Sequence, residues 1–165
     1  MFTATTLGYY EDEMKRAVVL SMFLPLIISS GGNSGSQAST LVVRAMALGE
    51  VRLIDWWRVL IREISTGFCL GLILGLIALV RIYLWPWREQ MYGQHYQYIA
   101  FTVGISIIGV VLWGTISGSM LPFLLRRLKL DPASASAPAV ATIVDVTGLI
   151  IYFTVATLIL KGILL

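Results

Sequence analysis

Apolar residues fall into four long runs separated by short polar turns. A helix needs about 20 mostly apolar residues to cross the hydrocarbon core of a bilayer. The pattern predicts four spans, over residues 15–48, 64–84, 98–125 and 135–160. The expected fold is all-α, a polytopic membrane helical bundle. Between the first two runs, Leu53, Trp56, Trp57, Leu60 and Ile61 recur at helical spacing against Arg52, Asp55, Arg58 and Arg62. This predicts a short interfacial amphipathic helix over residues 51–63, or an extension of the second span. Residues 1–8 read as the remnant of a preceding helix, followed by an acidic outer loop at Glu11, Asp12 and Glu13.

Composition agrees with a membrane protein. Hydrophobic residues make up 58% of the 165 and charged residues 13%, with a mean hydropathy of +0.85. A soluble domain carries about 25% charged residues. The net charge of +3 forms no continuous basic stripe, which argues against nucleic acid. The single cysteine, Cys69, lies in an apolar run and excludes an intrachain disulfide. Arg44, Arg52, Arg58, Arg62, Arg126, Arg127 and Lys129 account for seven of the twelve basic residues, and all fall at one end of the spans. That end is expected to be cytoplasmic. Trp85, Trp87, Tyr92, Tyr96 and Tyr98 form an aromatic belt at the other. Two glycine stripes, Gly67-Gly71-Gly75 and Gly104-Gly109-Gly114-Gly118, predict close helix packing, and Pro122 predicts a kink or an end to the third span.

Two features break the apolar pattern. Residues 29–37 of the first span consist of Ser, Gly, Asn and Gln. Irregular backbone survives at membrane depth only inside protein or beside a wet cavity. The segment is expected to break the helix and offer carbonyls and the Asn33 and Gln37 amides to a cation. Close packing through small residues is the alternative. The second feature is Asp145, a carboxylate inside the fourth span with no Lys or Arg within two turns. Such a group costs about 2.5–3.5 kcal/mol on insertion scales and usually faces a water-filled path. It reads as a cation site, or as an Asp bonded to a Ser or Asn of a neighbouring helix. Thr142 and Thr147 either assist it or bond back to their own helix.

The segment from Pro25 through Gly31-Gly-Asn-Ser-Gly-Ser-Gln37, then Ala38-Ser-Thr-Leu-Val-Val-Arg44 and Ala47-Leu-Gly-Glu50, resembles the signature of MgtE-type magnesium channels. Leu130-Asp-Pro-Ala, Pro138 and Asp145-Val-Thr-Gly-Leu-Ile-Ile-Tyr-Phe153 resemble that family's last helix. The resemblance implies a homodimeric channel in the membrane, with five helices per subunit and a pore between protomers. Its cargo would be Mg2+, with Mn2+ or other divalents as further candidates. It implies Asp145 as the central metal residue, accompanied by Asn33, Gly31, Gly32 and the Ala141 carbonyl. Glu11 and Asp12 would stand at the outer mouth. The expected location is the bacterial inner membrane, among lipid. The cytoplasmic regulatory half usual in the family is not in this sequence, and one of the five helices is reduced to residues 1–8. The whole chain, residues 1–165, then reads as the ion-pore domain.

The main alternative is an ion-coupled magnesium exchanger. A purely structural membrane subunit is another. Gly32-Asn-Ser34-Gly also fits the short G-x-S-G pattern of intramembrane serine proteases, which need a nearby histidine. The only histidine, His95, falls in the outer loop. No phosphate loop or zinc pattern points to an enzyme.

Overall fold

The computed structural model describes residues 2–11, 18–134 and 137–163. Lys15, at the start of the first expected span, and Asp12 and Glu13 lie outside the described residues. The chain folds into α1 (Phe2–Tyr9), α2 (Leu24–Ala47), α3 (Trp56–Tyr83), α4 (Arg88–Tyr92), α5 (Tyr96–Arg127) and α6 (Ala137–Leu160). Short 3-10 stretches precede α2, α3 and α6. Helices α2, α3, α5 and α6 are long and apolar enough to cross a membrane. Their 24, 28, 32 and 24 residues span about 36–48 Å, against about 30 Å of hydrocarbon. The protein is thus an integral membrane helical bundle.

Helix α5 is the hub, packing against α2, α3 and α6, while α2 also packs along α6. The glycine stripes explain these pairings. A β-carbon at Gly71 would stand 2.9 Å from the Ile108 Cα, and one at Gly75 would stand 2.8 Å from the Gly104 carbonyl oxygen. These positions let α3 lie directly on the backbone of α5. The outward side of α3 keeps Ile73, Leu76, Ile77 and Val80 exposed, as a lipid face requires.

One expectation is overturned and two open alternatives are narrowed. The glycine-rich segment does not break its helix: α2 is continuous α-helix through residues 29–37. Its polarity is absorbed locally. Ser34 Oγ donates to the Ser30 carbonyl at 2.8 Å, and Thr40 Oγ1 donates to Ser36 at 2.8 Å. The irregular backbone instead lies earlier, in the 3-10 stretch Val18–Phe23 that ends at Pro25. Of the two readings of the amphipathic segment, the extension of the second span is the one found, not a separate surface helix. A 3-10 turn, Leu53–Asp55, feeds straight into α3, because no Pro or Gly interrupts residues 56–66. Arg52 N–H donates to Asp55 Oδ2 at 2.9 Å and fixes that start. Of the two readings of Pro122, a kink or an end, the end is not met. It is buried inside α5, beside a cluster of Phe123 with Val42 and Met46 of α2 that holds the last turn in place.

The turn between α3 and α5 carries the aromatic belt. The Arg81 guanidinium lies 3.8 Å from the Trp85 ring, and Arg88 lies 4.9 Å from Tyr96. Tyr92 departs from an interfacial role: it is buried, 5.8 Å from the Phe23 ring. Helix α1 rests on α6, and Tyr10 just beyond it stacks on Phe153 at 4.6 Å. At the same level the buried Tyr152 hydroxyl donates to the Leu20 carbonyl at 2.9 Å.

Candidate functional site

The continuous α2 presents one face that is polar from Ser29 to Arg44. Ser29, Asn33, Gln37, Thr40 and Arg44 are all exposed or nearly so on the outside of the bundle. Their spacing confines them to an arc of about 80° on an ideal helix. Asn33 Nδ2 donates to Ser29 Oγ at 3.1 Å within this stripe. Open grooves of about 410 and 290 Å³ run along it toward the basic end, lined by Gln37, Thr40 and Arg44 among others. The stripe was legible as a run of i+4 and i+3 steps. Reading the segment as broken backbone hid it.

Helix α6 borders the stripe on one side. Gly32 and Ser36 form that edge. Ser36 Oγ donates to the Ala137 carbonyl at 3.1 Å, where α6 begins. Two turns further along α6, Asp145 meets Gly32. A β-carbon on Gly32 would stand 2.7 Å from Asp145 Oδ1 and 3.7 Å from the Ala141 Cβ. The carboxylate therefore lies against bare backbone. Among the described residues it has no hydrogen-bond or ion-pair partner. The reading of Asp145 as bonded to a neighbouring Ser or Asn is not met.

The structure brings Asp145, Gly32 and Ala141 together, while Asn33 faces outward on the stripe and bonds Ser29. Gly31 belongs elsewhere. A β-carbon there would meet Val110 Cγ1 at 2.5 Å and Val144 Cγ1 at 2.9 Å, so Gly31 serves the packing of α2 between α5 and α6. Gly35 does the same against the Gly114 carbonyl, at 3.0 Å. Freed carbonyls are not available from these glycines, because the helix is unbroken. The threonines also stay within the fold. Thr142 Oγ1 donates to Pro138 at 2.9 Å and Thr147 Oγ1 to Ile143 at 2.8 Å. Thr147 accepts a bond from Trp113 Nε1 at 2.7 Å, a tie between α5 and α6 that hydropathy did not reveal.

Glu11 lies apart from this centre. It follows Tyr10, whose ring contacts Phe153, about 12 Å along α6 from Asp145 and away from the basic end. Asp12 lies outside the described residues. No group of three or more His, Cys, Asp or Glu residues comes together among the described residues. The protease geometry is also missing. Ser34 is buried at the level of Gly114, about 28 Å along α5 from His95.

A single carboxylate beside a glycine, at membrane depth and on a polar outer face, is chemistry suited to a hydrated cation. The sequence profile of the MgtE family, described as divalent cation transporters, matches residues 24–155. The magnesium transporter MgtE of Thermus thermophilus is 38% identical over 163 residues, 99% of this chain and 34% of that protein. That of Bacillus subtilis is 32% identical over 158 residues, 95% of this chain and 33% of its own. That of Enterococcus faecalis is 29% identical over 161 residues, 98% of this chain and 34% of its own. The chain spans about a third of the length of these curated relatives. It belongs to the MgtE family of divalent cation transporters.

Proposed function

We propose that two copies of this chain form a pore for Mg2+ across the bacterial inner membrane, with the polar stripes of α2 and the two Asp145 carboxylates facing one another. The observation that carries the reading is the unpartnered Asp145 carboxylate set against the buried Gly32, at the edge of α2 that borders its exposed polar stripe. In a lone copy that face would meet hydrocarbon, where Asn, Gln, Arg and Asp side chains are costly. A second copy across the stripe turns it into a wet path.

Magnesium demands near-ideal octahedral oxygen coordination and gives up water reluctantly. The proposed site accordingly holds the hydrated ion. The two carboxylates supply two negative charges and accept hydrogen bonds from the inner waters. Asn33 amides and the Ala141 carbonyls accept the outer ones. A monovalent ion would leave one charge uncompensated in a low-dielectric site. Calcium, with its longer and looser coordination, would fit the spacing less well. Conduction also needs the ion to leave, which a water-mediated grip permits. Gly32 keeps the carboxylate at the path, and Gly31 and Gly35 bring the three helices close enough to fix it.

The test is Mg2+ influx into proteoliposomes holding the purified chain, with no sodium or proton gradient. Influx driven by the magnesium gradient alone is expected. Influx that appears only with an imposed sodium or proton gradient would replace the pore with a coupled exchanger.

A further inference from the structure

A larger groove, about 730 Å³, opens between α3 and α5 at the basic end of the bundle, apart from the stripe of α2. Its walls are apolar: Trp56 and Leu60 from α3 face Ile116, Met120 and Leu124 from α5, and Arg127 stands at the shallow end. Trp56 and Leu124 are about half exposed, so the groove is open toward the surroundings of the bundle. Where the bundle crosses the bilayer those surroundings are lipid. From Ile116 to Arg127 is 11 residues of continuous helix, about 16 Å, close to the roughly 15 Å depth of one leaflet's hydrocarbon. The groove thus has about the length of an acyl chain and runs from the basic end of α5 toward its middle.

Charge decides which lipid. No acidic residue lines the groove. Arg127 has no ion-pair partner among the described residues, whereas the adjacent Arg126 reaches the Met46 carbonyl at 3.5 Å. The nearby Asp55 is engaged by the backbone of Arg52. A guanidinium presents a fork of donors matched to phosphate oxygens. Arg58, Arg62 and Lys129 lie at the same end of the bundle, where an ammonium headgroup would be repelled and a negative one attracted. We propose that this groove is a binding site for an anionic glycerophospholipid of the leaflet at the basic end, with one acyl chain between α3 and α5 and its phosphate on Arg127.

The test is native mass spectrometry of the full chain released from detergent, titrated with dioleoylphosphatidylglycerol or dioleoylphosphatidylcholine. Retention of the phosphatidylglycerol is expected to be about five-fold stronger, the worth of one basic group at the surface. Arg127→Gln, at an exposed position that does not threaten the fold, removes that preference and leaves phosphatidylcholine unchanged. Met120→Trp, which fills the groove, lowers phosphatidylglycerol retention with Arg127 intact. Arg58→Gln, in the same basic belt but outside the groove, changes neither. Inorganic phosphate does not displace the lipid, because the chain supplies most of the binding. Equal retention of the two lipids overturns the proposal. So does an Arg58→Gln loss equal to that of Arg127→Gln, which would mean diffuse surface charge. So does a dimer lost in Met120→Trp while lipid retention is unchanged, which would mean that a second copy occupies the groove.

Discussion

Asp145 Oδ1 lies 2.7 Å from the point where a β-carbon on Gly32 would stand. The two helices therefore leave no space for any side chain between the carboxylate and the backbone of α2. In Gly32→Ala the carboxylate must rotate away, and an off-rotamer shift of this kind costs about 0.5–1.5 kcal/mol. The variant is expected to fold and to lose roughly 90% of Mg2+ influx, the tenfold effect that about 1.4 kcal/mol produces. Influx measured beside a melting curve in detergent checks both halves. Full influx with normal stability would detach Gly32 from the transport path.

Gly118 faces backbone instead of a movable side chain. A β-carbon there would run into the Gly35 carbonyl and Cα, with the Gly35 Cα 2.8 Å away. Overpacking of this kind costs about 1–3 kcal/mol. Gly118→Ala should lower the melting temperature by about 5–10 °C. Gly8→Ala, with nothing within 4 Å of the new β-carbon, should leave it unchanged. Equal melting of the two would mean that α2 and α5 do not rest on these glycines.

The buried Tyr152 hydroxyl joins the last span to the 3-10 turn that leads into α2. Tyr152→Phe leaves the Leu20 carbonyl without that donor. Hydrogen bonds between membrane segments contribute on the order of 0.6–1.7 kcal/mol, so a fall of a few degrees in melting temperature is expected, about 2–5 °C. Mg2+ influx per folded protein should not change, since the bond lies beyond Asp145. A selective loss of influx would extend the ion path to this level.

Gln37 stands exposed in the middle of the polar stripe, and Ile77 stands exposed on the lipid side of α3. If two copies face each other across the stripe, Gln37→Cys in a Cys69→Ser background should be linked into a dimer by a short bis-maleimide, as read on a denaturing gel. Ile77→Cys should stay monomeric. The opposite pattern would place the partner on α3.

Much of the fold was legible because bilayer physics is severe. Four apolar runs of sufficient length had to be helices, and the basic residues at one end fixed how they alternate. The glycine stripes were legible as packing surfaces, but their partners were not: that Gly71 lies on Ile108 and Gly35 on Gly114 depends on three-dimensional pairing no single run encodes. The segment at residues 29–37 was misread as broken because its composition suits a loop. Ser34 and Thr40 satisfy themselves within their own helix, and the glycines bury against other glycines, so the helix survives. Asp145 was visible as an isolated charge in an apolar span, and the structure places it beside Gly32. Gly31, its sequence neighbour, points into the packing because consecutive helical residues are about 100° apart. Glu11 shared a sign with Asp145 but lies about 12 Å along the bundle. The Trp113–Thr147 tie had no sequence signal, since it joins residues 34 apart whose hydropathy is unremarkable.

The most direct measurement is Mg2+ influx into proteoliposomes containing the chain or its Asp145→Asn variant, with no sodium or proton gradient and equal amounts of folded protein. The side chain keeps its size and loses its charge. The account predicts influx in the parent and a loss of at least about ten-fold in the variant, the effect of removing about 1.4 kcal/mol of ion stabilisation. Equal influx through both would contradict it, because the Asp145 carboxylate would then have no part in carrying the ion.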